Sequence, residues 1–170
     1  SDRPLRDYEP IISANAYIGI EGILQALETD ADIVITGRAA DPSLFLAPMV
    51  YHYKWTKEDV DKLANGTVLG HLMECSSQIT GGYFADPVKK PVSDLANIGF
   101  PIAEIDAHAN GVITKLEDTG GIINLATVKE QLLYEINDPT GYITPDLIVD
   151  ITNVQLKEIG PNRVEVTGGK

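Results

Sequence analysis

The stretch "DIVITGRAADPSLFLAP" (residues 32–48) constrains the fold more than any other part of the chain. Residues 33–36, "IVIT", form the uninterrupted apolar run expected of a buried strand in a parallel sheet. Residues 43–49 read as the first turns of a helix, with Asp41 placed to cap free N–H groups and Pro42 suited to the first helical position. Between strand and helix lie Arg38 and Asp41, opposite charges just beyond a strand's carboxyl end, where open parallel sheets bind ligands. Upstream, "IIS" at 11–13 can be a short buried strand. "GIEGILQALETD" then places Ile20, Ile23, Leu24 and Leu27 at helical spacing. Strand, helix and strand predict one βαβ unit with parallel strands and a right-handed crossover.

Downstream, "TKEDVDKLANG" reads as a helix with Thr56 as its cap and Gly66 as its end. Thr67 then caps a further helix that runs to Gly81-Gly82. From residue 87 the character changes: Pro87, Pro91 and Pro101 mark a loop, and "HANG" sits between two β-compatible runs as a hairpin turn with Asn110-Gly111. "NLATVKEQLLYEI" carries Leu125, Val128, Leu132 and Ile136 on one stripe, with Asn124 or Thr127 as its cap. The end of the chain reads as strand, strand, a turn at Gly160-Pro161-Asn162, and strand. The expected fold is one α/β domain over 1–170 with a mixed sheet. A parallel βαβ start and helices fill 1–86, and antiparallel hairpins dominate 87–170.

Composition narrows the function. A net charge of −12, with Lys and Arg never clustering beyond Lys89-Lys90, repels phosphate backbones and excludes nucleic acid as a partner. No stretch approaches the roughly 20 apolar residues of a membrane span, and no signal peptide is evident. The single cysteine, Cys75, allows no internal disulfide and fits the cytoplasm.

Three places carry candidate chemistry. The planar fork of Arg38 can hold a carboxylate or phosphate bidentately, or it can pair locally with Asp41. Asp41 itself reads mainly as a helix cap. In "GHLMECSSQITGGYF", His71, Glu74 and Gln78 share one helical face beside Cys75. His71 and Glu74 are either a proton-transfer pair or the polar side of a packed helix. A metal needs a third ligand, and His52 and His108 lie in unrelated contexts, so no metal and no cofactor is expected. Gly81 and Gly82, with Tyr83 next to them, and Gly120 and Gly121 allow close backbone approach to a ligand. The same glycines equally serve as turns and helix stops. No phosphate-loop, dinucleotide or G-x-S-x-G pattern is present.

The blocks "ISANAYIG", "ADIVITGRAADPSLFLAP", "GHLMECSSQITGGYFADP", "LANIGFPIAEID", "TGGIINLATVKEQLLYEINDPTGYITPD" and "IGPNRVEVTG" occur in order through the chain. Together they closely resemble the acyclic terpene utilisation (AtuA) family. The resemblance implies a cytoplasmic bacterial protein in the breakdown of citronellol- or geraniol-type compounds, a route through acyl-CoA thioesters. It brings a pathway and no catalytic residues. It also implies a longer family core, of which this chain would be the C-terminal part, so that the chain either self-associates or packs against a preceding section. Two functions follow as expectations. One is an enzyme of lyase, hydratase or hydrolase type on a branched acyl-CoA or carboxylate, with Arg38 and the glycine turns binding and His71 and Glu74 moving protons. The other is a non-catalytic binding or scaffold subunit of the same pathway.

Overall fold

The computed structural model describes residues 4–8 and 10–170. Helix α2 (Ser43–Tyr53) matches the expectation from sequence. One helix, α3 (Val60–Met73), replaces the two expected over the next stretch: Gly66 ends nothing, and Thr56 and Thr67 cap nothing. The helix stops at Met73 instead of running to Gly81-Gly82, so that Gln78 lies in a separate 3-10 turn (Ser76–Gln78) and not on one helical face with His71 and Glu74. Thr67 instead hydrogen-bonds back to the Leu63 carbonyl. The two glycines of α3 serve packing. A Cβ on Gly66 would lie 2.7 Å from Leu46 Cδ1, and one on Gly70 would lie 2.6 Å from the Pro42 carbonyl oxygen. Their lack of side chains lets α2 and α3 approach closely, which outweighs the helix propensity glycine forfeits.

The sheet is antiparallel throughout. Strands β1 (Pro101–Ile105), β2 (Gly111–Lys115), β5 (Gln155–Gly160) and β6 (Arg163–Thr167) order as β1-β2-β6-β5. The expected hairpin is present, but Gly111 already opens β2 and pairs with Ile105. The turn is built by Asp106, whose carboxylate accepts the N–H groups of His108 and Asn110. Strands β3 (Tyr142–Ile143) and β4 (Ile148–Val149) form a separate short ribbon. Helix α4 (Leu125–Leu132) starts at Asn124 with a reciprocal capping box to Thr127. Ile113, Val164 and Val166 from the sheet join Leu46, Val68, Leu69 and Leu72 from the helices in one core.

The parallel βαβ unit is not formed, and this corrects the expected start of the fold. Helix α1 (Glu21–Leu27) does form, and Ile23 packs with Ala39 and Ala47. The flanking residues 11–13 and 33–36, however, are not strands. The one parallel bridge beside α1 among the described residues joins Ile18 to Ala39, outside both segments. A strand exists only through its neighbours, and among the described residues nothing pairs with 33–36. No helix among the described residues is long and apolar enough to cross a membrane.

Candidate functional site

His71 occupies the last turn of α3, where the chain turns buried side chains towards α4 and the β3 ribbon. It is 3% exposed, and its ring lies 5.3 Å from that of Tyr142. The Gln131 side-chain amide of α4, itself 2% exposed, reaches the His71 carbonyl at 3.4 Å. His71 Nε2 and Gln131 Oε1, together with Gln78 Nε2, find no hydrogen-bond partner, which is costly for buried polar atoms. Glu74 follows at the helix end and accepts a hydrogen bond from the Cys75 thiol at 3.0 Å.

Burial sets the protonation states. Desolvation lowers the His71 pKa below the ordinary histidine value, against the opposing pull of the Leu132 and Gln131 backbone and of Glu135 and Asp41. Glu74 is raised by desolvation first, with the Cys75 hydrogen bond working against it and Asp41 and Glu135 adding to it. Burial, then the hydrogen bond and charge of Glu74, push Cys75 up to about 12, so it stays a thiol and is no nucleophile. Burial, then Glu74, Asp41 and Glu135, push Tyr142 up to about 12. Burial thus favours the uncharged form of both His71 and Glu74, which lie three residues apart at the end of α3.

Arg38 lies outside this cluster but borders it. It lines a cleft of about 340 Å³ with Thr36, Gly37 and Asp41. Asp41 also lines an adjoining cleft of about 430 Å³ with Tyr17, Tyr142 and Thr144. The guanidinium stands over the Tyr17 ring at 5.5 Å, and no described acid pairs with it within 4.0 Å. Asp41 is thus shared by the two clefts, and Tyr142, which lines the second, packs against the His71 ring. Contrary to expectation, Asp41 does not cap α2: the N-cap position is Pro42, and it is the Asp41 backbone carbonyl, not its carboxylate, that accepts from Leu44 N. The tie is made by Asp146, whose carboxylate accepts from Ser43 Oγ at 2.8 Å and from Ile20 N at 2.9 Å.

The glycine turns meet one another. Ile122 N donates to the Thr80 carbonyl at 2.7 Å, and a Cβ on Gly121 would crowd that same oxygen. The N–H groups of Gly81, Gly82, Gly120 and Gly121 donate to the carbonyls of Gln78, Ser77, Asn97 and Ser93. None is left to cradle an anion in this conformation. Tyr83 is exposed and meets Tyr134 at 5.6 Å, at the rim of the polar cluster. Among the described residues no three His, Cys, Asp or Glu side chains gather as a metal site. A further cleft of about 570 Å³ beside Asn124, Glu158 and Asn162 has its polar groups occupied in holding the start of α4.

Sequence reasoning missed Tyr142, Gln131, Glu135 and Asp146. They come from the far end of the chain: Gln131 and Glu135 belong to the α4 stretch, whose pattern marks an apolar stripe and no chemistry, and Tyr142 and Asp146 belong to the short β3–β4 ribbon.

Fold and site define a mixed α/β protein in which a buried histidine and a half-buried glutamate end one helix, with an exposed arginine lining a separate cleft. The family model described as "Acyclic terpene utilisation family protein AtuA" matches residues 1–170, and the chain belongs to that family. No curated protein and no solved structure matches it.

Proposed function

We propose that this protein serves acyclic terpene utilisation in the cytoplasm as an enzyme on a branched acyl-CoA or carboxylate intermediate, by lyase, hydratase or hydrolase chemistry. Arg38 holds the anionic group at the outer cleft, and the uncharged chain extends past Asp41 to Tyr142. His71 and Glu74 move the proton. The observation that supports this reading is the buried Nε2 of His71, which has no hydrogen-bond partner. A buried acceptor without a partner is expensive unless a ligand or water meets it.

The acidic surroundings also bear on the substrate. Asp41, Glu74 and Glu135 repel an anion from the inner end, so the negative charge belongs at Arg38 and the reacting centre is uncharged. The glycine turns enter this reading as supports, with Tyr83 at the rim. The scaffold alternative draws its support from those turns, whose N–H groups are all committed to packing.

Titration calorimetry of the chain with a terpenoid acyl-CoA and its free acid separates the two. The enzyme reading expects binding that Arg38→Lys weakens at least about tenfold, since lysine keeps the charge and loses the fork. It also expects His71→Gln to spare binding and abolish turnover. Absence of binding by the wild-type chain, or binding indifferent to both variants, supports the scaffold.

A further inference from the structure

Three strongly exposed large apolar side chains lie in the two irregular segments around α1. Ile12 is 97% exposed, Ile33 80% and Ile35 91%. Residues 33–36 neither donate nor accept a described backbone hydrogen bond, so both edges of the segment are open. Its composition, Ile-Val-Ile-Thr, is among the strongest for a β-strand. It also lacks the lysines, prolines and inward charges by which proteins blunt an open edge.

The charges at its ends are self-complementary. Asp32 precedes the apolar run and Arg38 follows it, three residues either side of Ile35. Two copies laid antiparallel with Ile35 on the two-fold axis bring Ile35 opposite Ile35 and Val34 opposite Thr36. Ile33 then faces Gly37, where no side chain obstructs it, and Asp32 of each copy faces Arg38 of the other. Any other register, or a parallel one, separates these charges or sets like beside like. A two-fold interface of this kind is isologous, and the same patch serves both partners.

We propose that the occupant of this surface is a second copy of the chain, paired as an antiparallel strand through residues 32–38. The pairing gives the open N–H and carbonyl groups their partners and shelters Ile33 and Ile35 against the same residues of the other copy. It stands independently of the ligand reading. A guanidinium has five N–H donors, so Arg38 can meet a carboxylate across the interface and still present donors to the outer cleft.

Sedimentation velocity of the whole chain, wild type beside four variants, tests this. The wild type is expected to dimerise. Asp32→Arg and Arg38→Asp should each weaken dimerisation about tenfold or more by setting like charges opposite, twice by symmetry. The double variant Asp32→Arg/Arg38→Asp restores the complement and should return to within about threefold of wild type. Ile35→Lys, on the axis, should leave monomer. All these positions are exposed, so unchanged circular dichroism shows that folding is intact. A wild type that stays monomeric at high concentration overturns the proposal. So does a double swap that fails to rescue, or a monomer that is covered only on adding a different polypeptide.

Discussion

In the four-stranded sheet, Ile113, Val164 and Val166 are wholly buried and each residue of β2 is paired with β1. In residues 33–36 the side chains are just as apolar, yet Ile33 and Ile35 stand in solvent and no backbone group is paired. The contrast lies in where each segment's neighbours come from. Strands β1 and β2 are joined by a short turn that Asp106 organises, so their pairing is local. Residues 33–36 depend on partners that must come from elsewhere. The candidate site lies on the boundary, with His71 and Glu74 in the closed part and Arg38 in the open one.

Mutations on the two sides should differ sharply. Leu69→Ala, at a fully buried position against Gly111, should cost about 2–5 kcal/mol in urea unfolding. Asp146→Ala comes next. It leaves Ile20 N and Ser43 Oγ without their acceptor and should cost about 1–3 kcal/mol, with α1 and the Tyr142 ribbon loosening first in hydrogen exchange. Asp41→Ala is its control and should leave the melting temperature unchanged, because Asp41 caps nothing. If Asp41→Ala destabilises as much as Asp146→Ala, the boundary has been drawn wrongly. The smallest effect is expected at Ile35→Ala, where unfolding of the monomer should change by less than about 0.5 kcal/mol.

Acid should also divide the halves. The His71 pKa lies lower in the folded chain than in the unfolded one, so unfolding takes up a proton. Its contribution is therefore held above pH 6.5 and lost as the pH falls below that towards the folded value. Glu74 acts with the opposite sign. Its raised folded pKa favours folding fully below the ordinary 4.5, and that benefit disappears as the pH rises through the folded value. Stability–pH curves of His71→Gln and Glu74→Gln should each lose one of these slopes.

The legible parts of the sequence were those whose determinants are local. Helix α2, the Asn124 cap of α4 and the C-terminal hairpin each follow from residues within a few positions of one another. Gly66 misled because its role is set by Leu46 on another helix, a contact that no helix-stop rule contains. Asp41 is the nearer acid and reads as the cap of α2, but the acid that ties this region together is Asp146, more than a hundred residues along the chain, through Ser43 Oγ and Ile20 N. The parallel strands 11–13 and 33–36 had the right composition, but composition supplies no neighbour. His71 and Glu74 were visible through their spacing. The Tyr142, Gln131 and Glu135 groups that surround them were not, since only the tertiary fold brings β3 and α4 to the end of α3.

The account rests on burial favouring the neutral imidazole of His71 and the protonated carboxyl of Glu74, and NMR can observe both directly. Isotope-edited titration of the His71 ring nitrogens and the Glu74 side-chain carboxyl in the folded chain should give a histidine midpoint below 6.5 and a glutamate midpoint above 4.5. Midpoints at those ordinary values for both groups would contradict it, because solvated side chains of that kind form no buried proton-transfer pair.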